Sequence, residues 1–504
     1  MQLSFRWTRW AIAAAAGAAV VMAVAGCRSA RPQQDPGRDL RARTFDCYWT
    51  ALRNDYPYFE AVGVDWCKLR DQYRERAITA PDTFTYYRVM SEMFAKLQDP
   101  HLVLTTRRAK QFGQSDRYDW IAPTLVQIGR NHYIWSWSDT GGCLGVDSGS
   151  YPQLLSRGGV AWTRFSFASD LAFLEPVFNP DSLEAIDVDG ERLRVDPQPR
   201  ASPSKGLVDR VIGVRDFRRN FMEGTPFEVP GTGQASVEVV IEDQRLHRSP
   251  ISQMAFRGIE SRDKVSPSLV PGAARPWWIQ STKRSGVSYM RLSSFSAYAG
   301  DERSPSRFGA VLARDMPAML ESPCMIIDLR YNTGGNRSPV QEALNWFSAR
   351  PITLRLSQWK AMQYDVRQPV VFKVDPVPFP FRGKVVVLVN RFSASAAEVF
   401  AQFMREHNGA VVIGETTIGA EAGVETLRGP DGSTLSYGSV PFRYPGAPSF
   451  QTCGLVPDVQ VPLTIERVRE IGYAPAVLEN EIEQMRAACR VLELDEAAVL
   501  AGTR

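Results

Sequence analysis

The stretch KVVVLVNRFSASAAEVF (residues 384–400) decides the fold of this chain. Its first half is a continuous apolar run rich in valine, which predicts a strand buried on both faces of a sheet. Its second half places Ala396, Val399 and Phe400 on one face of a helix. A buried strand that passes through a short polar loop into an amphipathic helix is typical of an α/β fold.

The same pattern occurs on both sides of this stretch. CMIIDLR (324–330) reads as a buried strand, and SPVQEALNWFS (338–348) follows it with helical spacing. AVVIGE (410–415) reads as a further strand. We therefore predict an α/β core over residues 281–470. The functional groups of such a core lie at the carboxyl ends of the strands, where the loops meet.

Ser395 lies in one of these loops, immediately before the predicted helix. A serine hydroxyl becomes a nucleophile when a neighbouring base takes its proton, and a helix N-terminus favours developing negative charge. The structural alternative is a helix cap, because Ser395 and Glu398 have the spacing of a capping box. Ser393, slightly earlier in the same loop, is a second candidate for the nucleophile.

Composition bounds the classes of function. The chain has 504 residues, 44% hydrophobic and 23% charged, which suits about two or three domains. Its net charge of +4 comes without a long basic run, so nucleic-acid binding has no support. No Cys-x-x-Cys or Cys/His pattern is present, so we expect neither a metal nor another cofactor. Six cysteines lie beyond residue 27, and the sequence leaves their pairing open.

The N-terminus has the pattern of a targeting segment. Arginines precede an apolar run at 11–26, which ends in Val-Ala-Gly directly before Cys27. This resembles a bacterial lipobox, in which the cysteine is lipidated and becomes the first mature residue; the alternative is an ordinary secretory signal. Arg28 follows the cysteine, which resembles outer-membrane lipoproteins. We predict a signal peptide over 1–27 and a tether over 28–40.

The remaining chain divides by its periodicity. Residues 41–110 are predicted to be helical, and residues 111–280 to be rich in short strands. Within the second region LEAIDVDGERL (183–193) is weakly similar to a strand and turn of PDZ-like peptide-binding domains. Residues 471–504 are predicted to form a C-terminal helical segment.

Four motifs in order carry a resemblance to a known family, the tail-specific or C-terminal processing serine proteases, whose superfamily includes the tricorn protease core. They are DLRYNTGG (328–335), NRFSASAAEVF (390–400), GETTIG (414–419) and GLVPDVQV (454–461). The resemblance implies a crotonase-like α/β catalytic core with an N-terminal helical region and an intervening β-rich, PDZ-like region. It also implies that Ser395 is the nucleophile, with the main-chain N–H groups of Gly334, Gly335 and Ala396 as the oxyanion hole.

The resemblance also implies a base for Ser395. The bacterial branch of the family uses a lysine, but Ala420 stands at that position, and Lys360 and Lys384 lie off the motif. The tricorn-like branch uses a histidine in a segment similar to LQDPH (97–101), which assigns the role of general base to His101. The alternative is that His101 is a plain loop or helix-terminus histidine.

Two residues depart from the tricorn-like pattern. Pro100 replaces a serine beside the histidine, and Gln451 replaces a glutamate that orients the ring. A glutamine oxygen accepts a hydrogen bond from an imidazole N–H but brings no charge to stabilise the imidazolium. Reduced activity is therefore one expectation, and a plain loop role for Gln451 is another.

We expect a lipid-anchored periplasmic serine endopeptidase that cleaves peptide or protein substrates through an acyl-enzyme, at the outer membrane. Two other classes compete. One is a catalytically impaired homologue that binds peptides or envelope proteins as a scaffold. The other is a crotonase-type acyl-CoA enzyme, which is disfavoured because such enzymes need no serine at this position.

Overall fold

The computed structural model of the protein describes residues 36–500, except for 82, 106–122, 138–152, 158–159, 162–182, 187–191, 196–226, 229–234, 237–278, 285, 293, 296–305 and 357–369. The helices are, in chain order, α1 (Pro36–Asp55), α2 (Trp66–Ile78), α3 (Thr83–Ala95), α4 (Ser306–Met319), α5 (Arg337–Leu344), α6 (Ala396–Phe403), α7 (Ile465–Ile471), α8 (Tyr473–Leu492) and α9 (Glu496–Leu500). A π-helical turn, Met404–Asn408, continues α6.

The strands begin after α3 and are interleaved with the later helices. In chain order they are β1 (Val103–Thr105), β2 (Pro123–Ile128), β3 (Asn131–Trp137), β4 (Gln153–Arg157), β5 (Val160–Ala161), β6 (Leu183–Ile186), β7 (Arg192–Val195), β8 (Phe227–Glu228), β9 (Ala235–Ser236), β10 (Ile279–Arg284), β11 (Val287–Leu292), β12 (Cys324–Asp328), β13 (Ile352–Leu356), β14 (Val370–Val374), β15 (Lys384–Val389), β16 (Val411–Gly414), β17 (Ala422–Arg428), β18 (Thr434–Pro441) and β19 (Val459–Gln460).

A six-stranded sheet organises the core, in the order β10-β11-β12-β15-β16-β19. The strands from β11 onward run parallel to their neighbours, and β10 pairs antiparallel with β11. The predicted α/β core is therefore confirmed. Since the parallel strands end at one edge, the loops after β12, β15 and β16 meet there.

The two faces of this sheet bury alternate residues of each strand. Met325 and Ile327 of β12 belong to the core cluster that includes α4, α5 and α6, whereas Cys324 and Ile326 pack with the cluster of α8. Helices on both faces explain why these strands are continuously apolar. The predicted C-terminal helical segment thus covers the second face of the six-stranded sheet.

The N-terminal helices pack onto a second, three-stranded sheet of order β1-β18-β17. An aromatic-rich cluster joins α1, α2 and α3 to Leu104, Leu435 and Tyr437 of that sheet. In the antiparallel pairing of β1 with β18, Leu104 lies opposite Leu435. The segment LQDPH, directly before β1, is thereby attached to the chain that follows GETTIG.

Between the N-terminal helices and the α/β core, the described strands pair antiparallel with one another. Strands β2, β3, β4, β6 and β7 form a sheet in that order, with β5 paired to β4. The described residues of this region contain short strands, as predicted, and residues 183–186 and 192–195 form the β6–β7 pair. Residues 187–191 of the motif at 183–193 lie outside the described residues. Its resemblance to a PDZ-like domain remains a prediction.

The N-terminal prediction is only partly covered by the described residues. Helix α1 begins at Pro36, so residues 36–40 of the predicted tether belong to a helix. Proline suits the first turn of a helix because its missing N–H has no partner there in any case. The predicted signal peptide and Cys27 lie outside the described residues.

Within the described part of the chain, no helix has the length and apolar character needed to cross a membrane.

Candidate active site

Ser395 sits on a strained turn between β15 and α6. Its backbone has φ 55° and ψ −120°, in a region that residues other than glycine rarely adopt. Such a conformation costs ~1–3 kcal/mol and persists only where the surroundings fix it. Ser395 is partly exposed, while Ala394 and Ala396 on either side are buried. The turn therefore presents one hydroxyl-bearing residue at the surface of an otherwise buried loop.

Hydrogen bonds within the loop hold this turn. The hydroxyl of Ser393 donates to the carbonyl of Leu329 at 2.9 Å, and Asn390 Oδ1 accepts from the N–H of Tyr331 at 3.0 Å. These contacts fasten the loop after β15 to the loop after β12. Ser393 is fully buried, so its hydroxyl serves the turn and is not accessible as an alternative nucleophile.

Gly334 touches the turn directly. A Cβ built on Gly334 would lie 2.7 Å from Ser395 Cβ and 2.8 Å from the carbonyl oxygen of Ala394. Only glycine fits so close to the serine, and the φ of 97° at Gly334 also favours glycine. The motifs DLRYNTGG and NRFSASAAEVF, far apart in sequence, are therefore in contact at the predicted nucleophile.

The same loop limits which N–H groups remain for an oxyanion hole. The N–H of Gly334 donates to Asn332 Oδ1 at 2.8 Å, so the predicted role of this N–H in binding an oxyanion needs correction. Gly335 is exposed, and the bridge that it forms with Phe295 uses the N–H of Asn336 instead of its own. Gly335 and Ala396, the first residue of α6, remain the predicted donors.

Glu398 connects the turn to the GETTIG motif. Its buried carboxylate accepts from the N–H groups of Ser395 at 2.8 Å, Gly419 at 2.7 Å and Ala420 at 2.8 Å, and from the Thr417 hydroxyl. Burial raises the pKa of Glu398 to about 7, although these hydrogen bonds act to lower it. The hydrogen bond from the Ser395 N–H to Glu398 is the one expected of a capping box. The same carboxylate also binds the loop that contains Gly419 and Ala420. The spacing along the sequence indicates only the capping role of Glu398.

No lysine of the described chain takes the place of Ala420. Ala420 is buried, and Lys384 stands at the amino end of β15, where its Nζ lies 3.3 Å from Glu493. Ser395 follows the opposite end of that strand, which is about 17 Å long at the usual rise per residue. Lys360 lies outside the described residues.

His101 is the candidate base. Its side chain is 12% exposed, and its backbone N–H donates to Asp99 Oδ1 at 2.8 Å. Burial lowers the pKa of the His101 imidazole, and the Asp99 carboxylate acts in the opposite direction. A histidine with a lowered pKa is neutral at pH 7, the form that accepts a proton.

The LQDPH segment lies beside the loop that carries Ala420. A Cβ built on Gly438 would lie 2.6 Å from Ala422 Cβ and 3.1 Å from Asp99 Oδ2, which places Asp99 close to the start of β17. Among the described contacts, no hydrogen bond joins Ser395 to the His101 ring. Catalytic hydrogen bonds are often long without substrate and tighten when it binds, so the pairing of these two residues stays a prediction.

Gln451 lies in the loop that packs on GETTIG. Its Oε1 accepts from the N–H of Glu421 at 2.7 Å, and its buried Nε2 has no hydrogen-bond partner among the described residues. The oxygen that was expected to orient an imidazole is therefore already bound to the backbone. A carboxylate that sequence analysis missed lies next to it. Buried Glu421 accepts from the Tyr58 hydroxyl at 3.3 Å and the Phe450 N–H at 3.0 Å.

Two parts of the chain match families of known proteins. Residues 286–461 match peptidase family S41, and residues 39–95 match the C1 domain of tricorn protease. The first match covers most of the α/β core and its loops. The second covers the N-terminal helices that precede LQDPH.

Curated relatives and solved structures agree with these matches. A carboxyl-terminal-processing protease of Picosynechococcus is 27% identical over 213 residues, 42% of this chain and 46% of the relative. A probable CtpA-like serine protease of Staphylococcus haemolyticus is 31% identical over 137 residues, 27% of each chain. This chain thus spans less than half the length of these two relatives. Mature CPAF has the same fold, with a TM-score of 0.52 and 14% identity over 90% of this chain and 98% of its own.

Proposed function

Because the chain belongs to the family of tail-specific, or C-terminal processing, serine proteases, we propose that it is a serine peptidase. It hydrolyses peptide bonds of peptide or protein substrates through an acyl-enzyme on Ser395. The contact between Gly334 and the strained Ser395 turn carries this proposal. That contact brings a candidate nucleophile and the glycine loop of a candidate oxyanion hole to the same point of the surface.

The reaction follows from the proposed roles. His101 takes the hydroxyl proton of Ser395 as its oxygen attacks the peptide carbonyl, and the N–H groups of Gly335 and Ala396 bind the resulting oxyanion. The C–N bond then breaks, the amine leaves with the proton from His101, and the acyl group stays on Ser395. A water molecule, deprotonated by His101, releases the acyl group and restores the serine.

A scaffold of low activity is the second candidate. Two observations favour it: Gln451 brings no charge to the site, and its oxygen already accepts a backbone hydrogen bond. A binding protein of this kind would keep the cleft but turn over slowly. The same experiment separates the two candidates.

The test uses purified protein, an unfolded protein substrate and a fluorophosphonate probe. Wild type should cleave the substrate and bind the probe covalently, whereas Ser395→Ala should do neither and keep its melting temperature within a few degrees. Ser393→Ala is the matched control, because it removes a buried hydroxyl of the same loop and should retain labelling where it folds. Probe binding that survives in Ser395→Ala would exclude Ser395 as the nucleophile, and an unlabelled, inactive but folded wild type would favour the scaffold.

We further propose that the protein is anchored to the bacterial envelope by lipid on Cys27 and faces the periplasm from the outer membrane. The apolar run at 11–26 before Cys27, with Arg28 after it, supports this location. Residues 28–35 separate the anchor from α1. A protease held in this way would meet envelope proteins as substrates.

A further inference from the structure

Asp99 is a buried carboxylate beside the candidate base. Its side chain is fully buried, and Oδ1 accepts the backbone N–H of His101 at 2.8 Å. The same oxygen lies 4.0 Å from the His101 Nδ1. Both Asp99 Oδ2 and His101 Nδ1 are buried without a hydrogen-bond partner among the described residues. A buried acceptor and a buried ring nitrogen thus stand next to each other, and the short Asx-type bond holds them in this relation.

The other candidates for orienting the ring have different partners. Gln451 has no charge, and its oxygen accepts from the Glu421 N–H. The Glu421 carboxylate accepts from the Tyr58 hydroxyl and lies 3.9 Å from Arg443. Asp99 is therefore the carboxylate that the structure records against the His101 ring.

We propose that Asp99 is the positioning residue of His101, and that it replaces the charge that Gln451 does not supply. This inference rests on the proposed function. When His101 Nε2 takes the proton of Ser395, the ring becomes positive and its Nδ1–H faces Asp99. A small rotation of the ring closes the gap of 4.0 Å to a hydrogen bond. The Asp99 carboxylate then stabilises the imidazolium while the acyl-enzyme forms.

The orientation of the ring agrees with this role. His101 Nδ1 is buried, so the exposed 12% of the side chain belongs to its other atoms. This leaves Nε2 as the nitrogen for the serine and the substrate. The arrangement assigns the two nitrogens to different tasks, as a catalytic histidine requires.

The charged surroundings single out Asp99 as well. Burial is the main cause that raises the pKa of Tyr56 well above its ordinary value, and the Asp99 carboxylate adds to it. The pKa of Tyr58 is raised in the same way, by burial first and then by Glu421 and Asp99. Both hydroxyls are thus neutral near pH 7. Arg443 lies 3.9 Å from Glu421, whereas Asp99 interacts with Tyr56, Tyr58 and the His101 ring.

The first test measures the pKa of His101 by NMR on the full chain labelled at histidine. The chain has four histidines, and His101→Gln identifies the relevant signal. Asp99→Asn should lower the His101 pKa by about one unit or more, since it removes a charge at close range. Asp65→Asn, an exposed carboxylate at the start of α2, is the matched control and should leave that pKa unchanged. An unchanged His101 pKa in Asp99→Asn would overturn the proposal.

The second test is kinetic. Asp99→Asn should lower kcat by about 10²- to 10⁴-fold with little change in KM, because the effect arises in the transition state. A KM effect with unchanged kcat would overturn the positioning role. Should Asp99→Asn fail to fold, the smaller Asp99→Ser variant gives the same two readouts. If wild type has no peptidase activity, the proposed function fails, whereas the NMR test still decides whether Asp99 acts on His101.

Discussion

Gly334 and Ser395 show how two residues determine the geometry of this site. Both have positive φ, but only glycine tolerates it without cost. Two hydrogen bonds hold the strained turn at Ser395: the Ser393 hydroxyl donates to the Leu329 carbonyl, and the Glu398 carboxylate accepts from the Ser395 N–H. The contact between Gly334 and Ser395 leaves no room for a side chain on Gly334. The geometry around Ser395 thus depends on the close approach of the Gly334 backbone.

We therefore predict that Gly334→Ala abolishes activity and destabilises the protein by about 3 kcal/mol, combining left-handed strain with overpacking. Gly409→Ala is the matched control. Gly409 has φ 74°, but a Cβ there would meet nothing within 4 Å, so only the strain of about 1–2 kcal/mol remains. Urea unfolding and kcat/KM measure both effects. Equal destabilisation in the two variants would contradict the proposed contact.

We expect the pH dependence of kcat/KM to follow the protonation of His101. Burial lowers its pKa below the ordinary histidine value of 6.5, so kcat/KM should fall only as the pH drops through that lowered value. His101→Ala should cost on the order of 10³-fold in kcat/KM. A pH–rate profile measures the limb. A profile without an acidic limb, or full activity in His101→Ala, would place the base elsewhere.

The lowered pKa of His101 also makes the stability of the fold depend on pH. A depressed folded-state pKa contributes stability above the unfolded value, and this stability is lost as the pH falls through the folded value. The fold therefore weakens in the same pH range in which the base is protonated. Circular dichroism at each pH separates loss of the base from loss of the fold.

At the scale of elements, α8 holds the loop that carries Gly334. The buried Arg330 guanidinium binds Asp328 through two hydrogen bonds and donates through Nη1 to the backbone carbonyl of Glu481 at 3.1 Å. The Tyr331 hydroxyl donates to Glu481 Oε1 at 2.5 Å. The backbone of Tyr331 has φ 63°, a left-handed conformation that is strained for a tyrosine. The C-terminal helix thus supports the strained loop after β12 from the opposite face of the sheet.

Glu481→Ala should accordingly cost about 2–3 kcal/mol of stability and lower kcat/KM, because it removes the Oε1 that accepts from the Tyr331 hydroxyl and the carboxylate oxygen that lies 3.8 Å from Arg330 Nη1. The matched control is Glu483→Ala on the same helix. Glu483 is partly exposed and pairs with Arg486 and Arg490 near the surface, so its loss should cost less than about 1 kcal/mol. Denaturant unfolding and steady-state kinetics compare the two variants, and equal effects would argue against a role for α8 in supporting the loop.

At the scale of the whole molecule, one long-range arrangement connects the N-terminal helices to the core. The helices pack on the β17–β18 hairpin, which follows the GETTIG motif directly. His101 and Ser395 therefore belong to separate packing units that meet through this hairpin. The candidate base His101 thus follows the N-terminal helices, while the candidate nucleophile Ser395 belongs to the α/β core.

Anchoring is the prediction that concerns the whole chain. Cys27→Ser should shift the protein from the membrane fraction to an unprocessed or soluble form, because lipid on Cys27 and the N-terminal acyl group together give stable attachment, whereas one chain is marginal. Fractionation and metabolic labelling with palmitate measure this change. Finding the wild-type protein entirely soluble and unlabelled would contradict the lipoprotein proposal.

Local sequence determined the elements and their order. The valine-rich run before Ser395 forms a buried strand, and the apolar residues after it form the core-facing side of α6. The hydrophobic pattern alone therefore located the strand, the turn and the helix. The motif DLRYNTGG was likewise placed at a strand end by its own composition. These features depend on short-range periodicity, which the sequence displays directly.

Only the tertiary structure decided the partners. The N–H of Gly334 is bound to Asn332, Gln451 is bound to the Glu421 backbone, and Asp99 lies against His101. Which donor meets which acceptor depends on how distant loops pack. Spacing along the chain carries no information about that packing, because a buried polar group takes whichever partner the fold brings within reach. The sequence therefore named the serine and the histidine, and the fold assigned the groups that surround them.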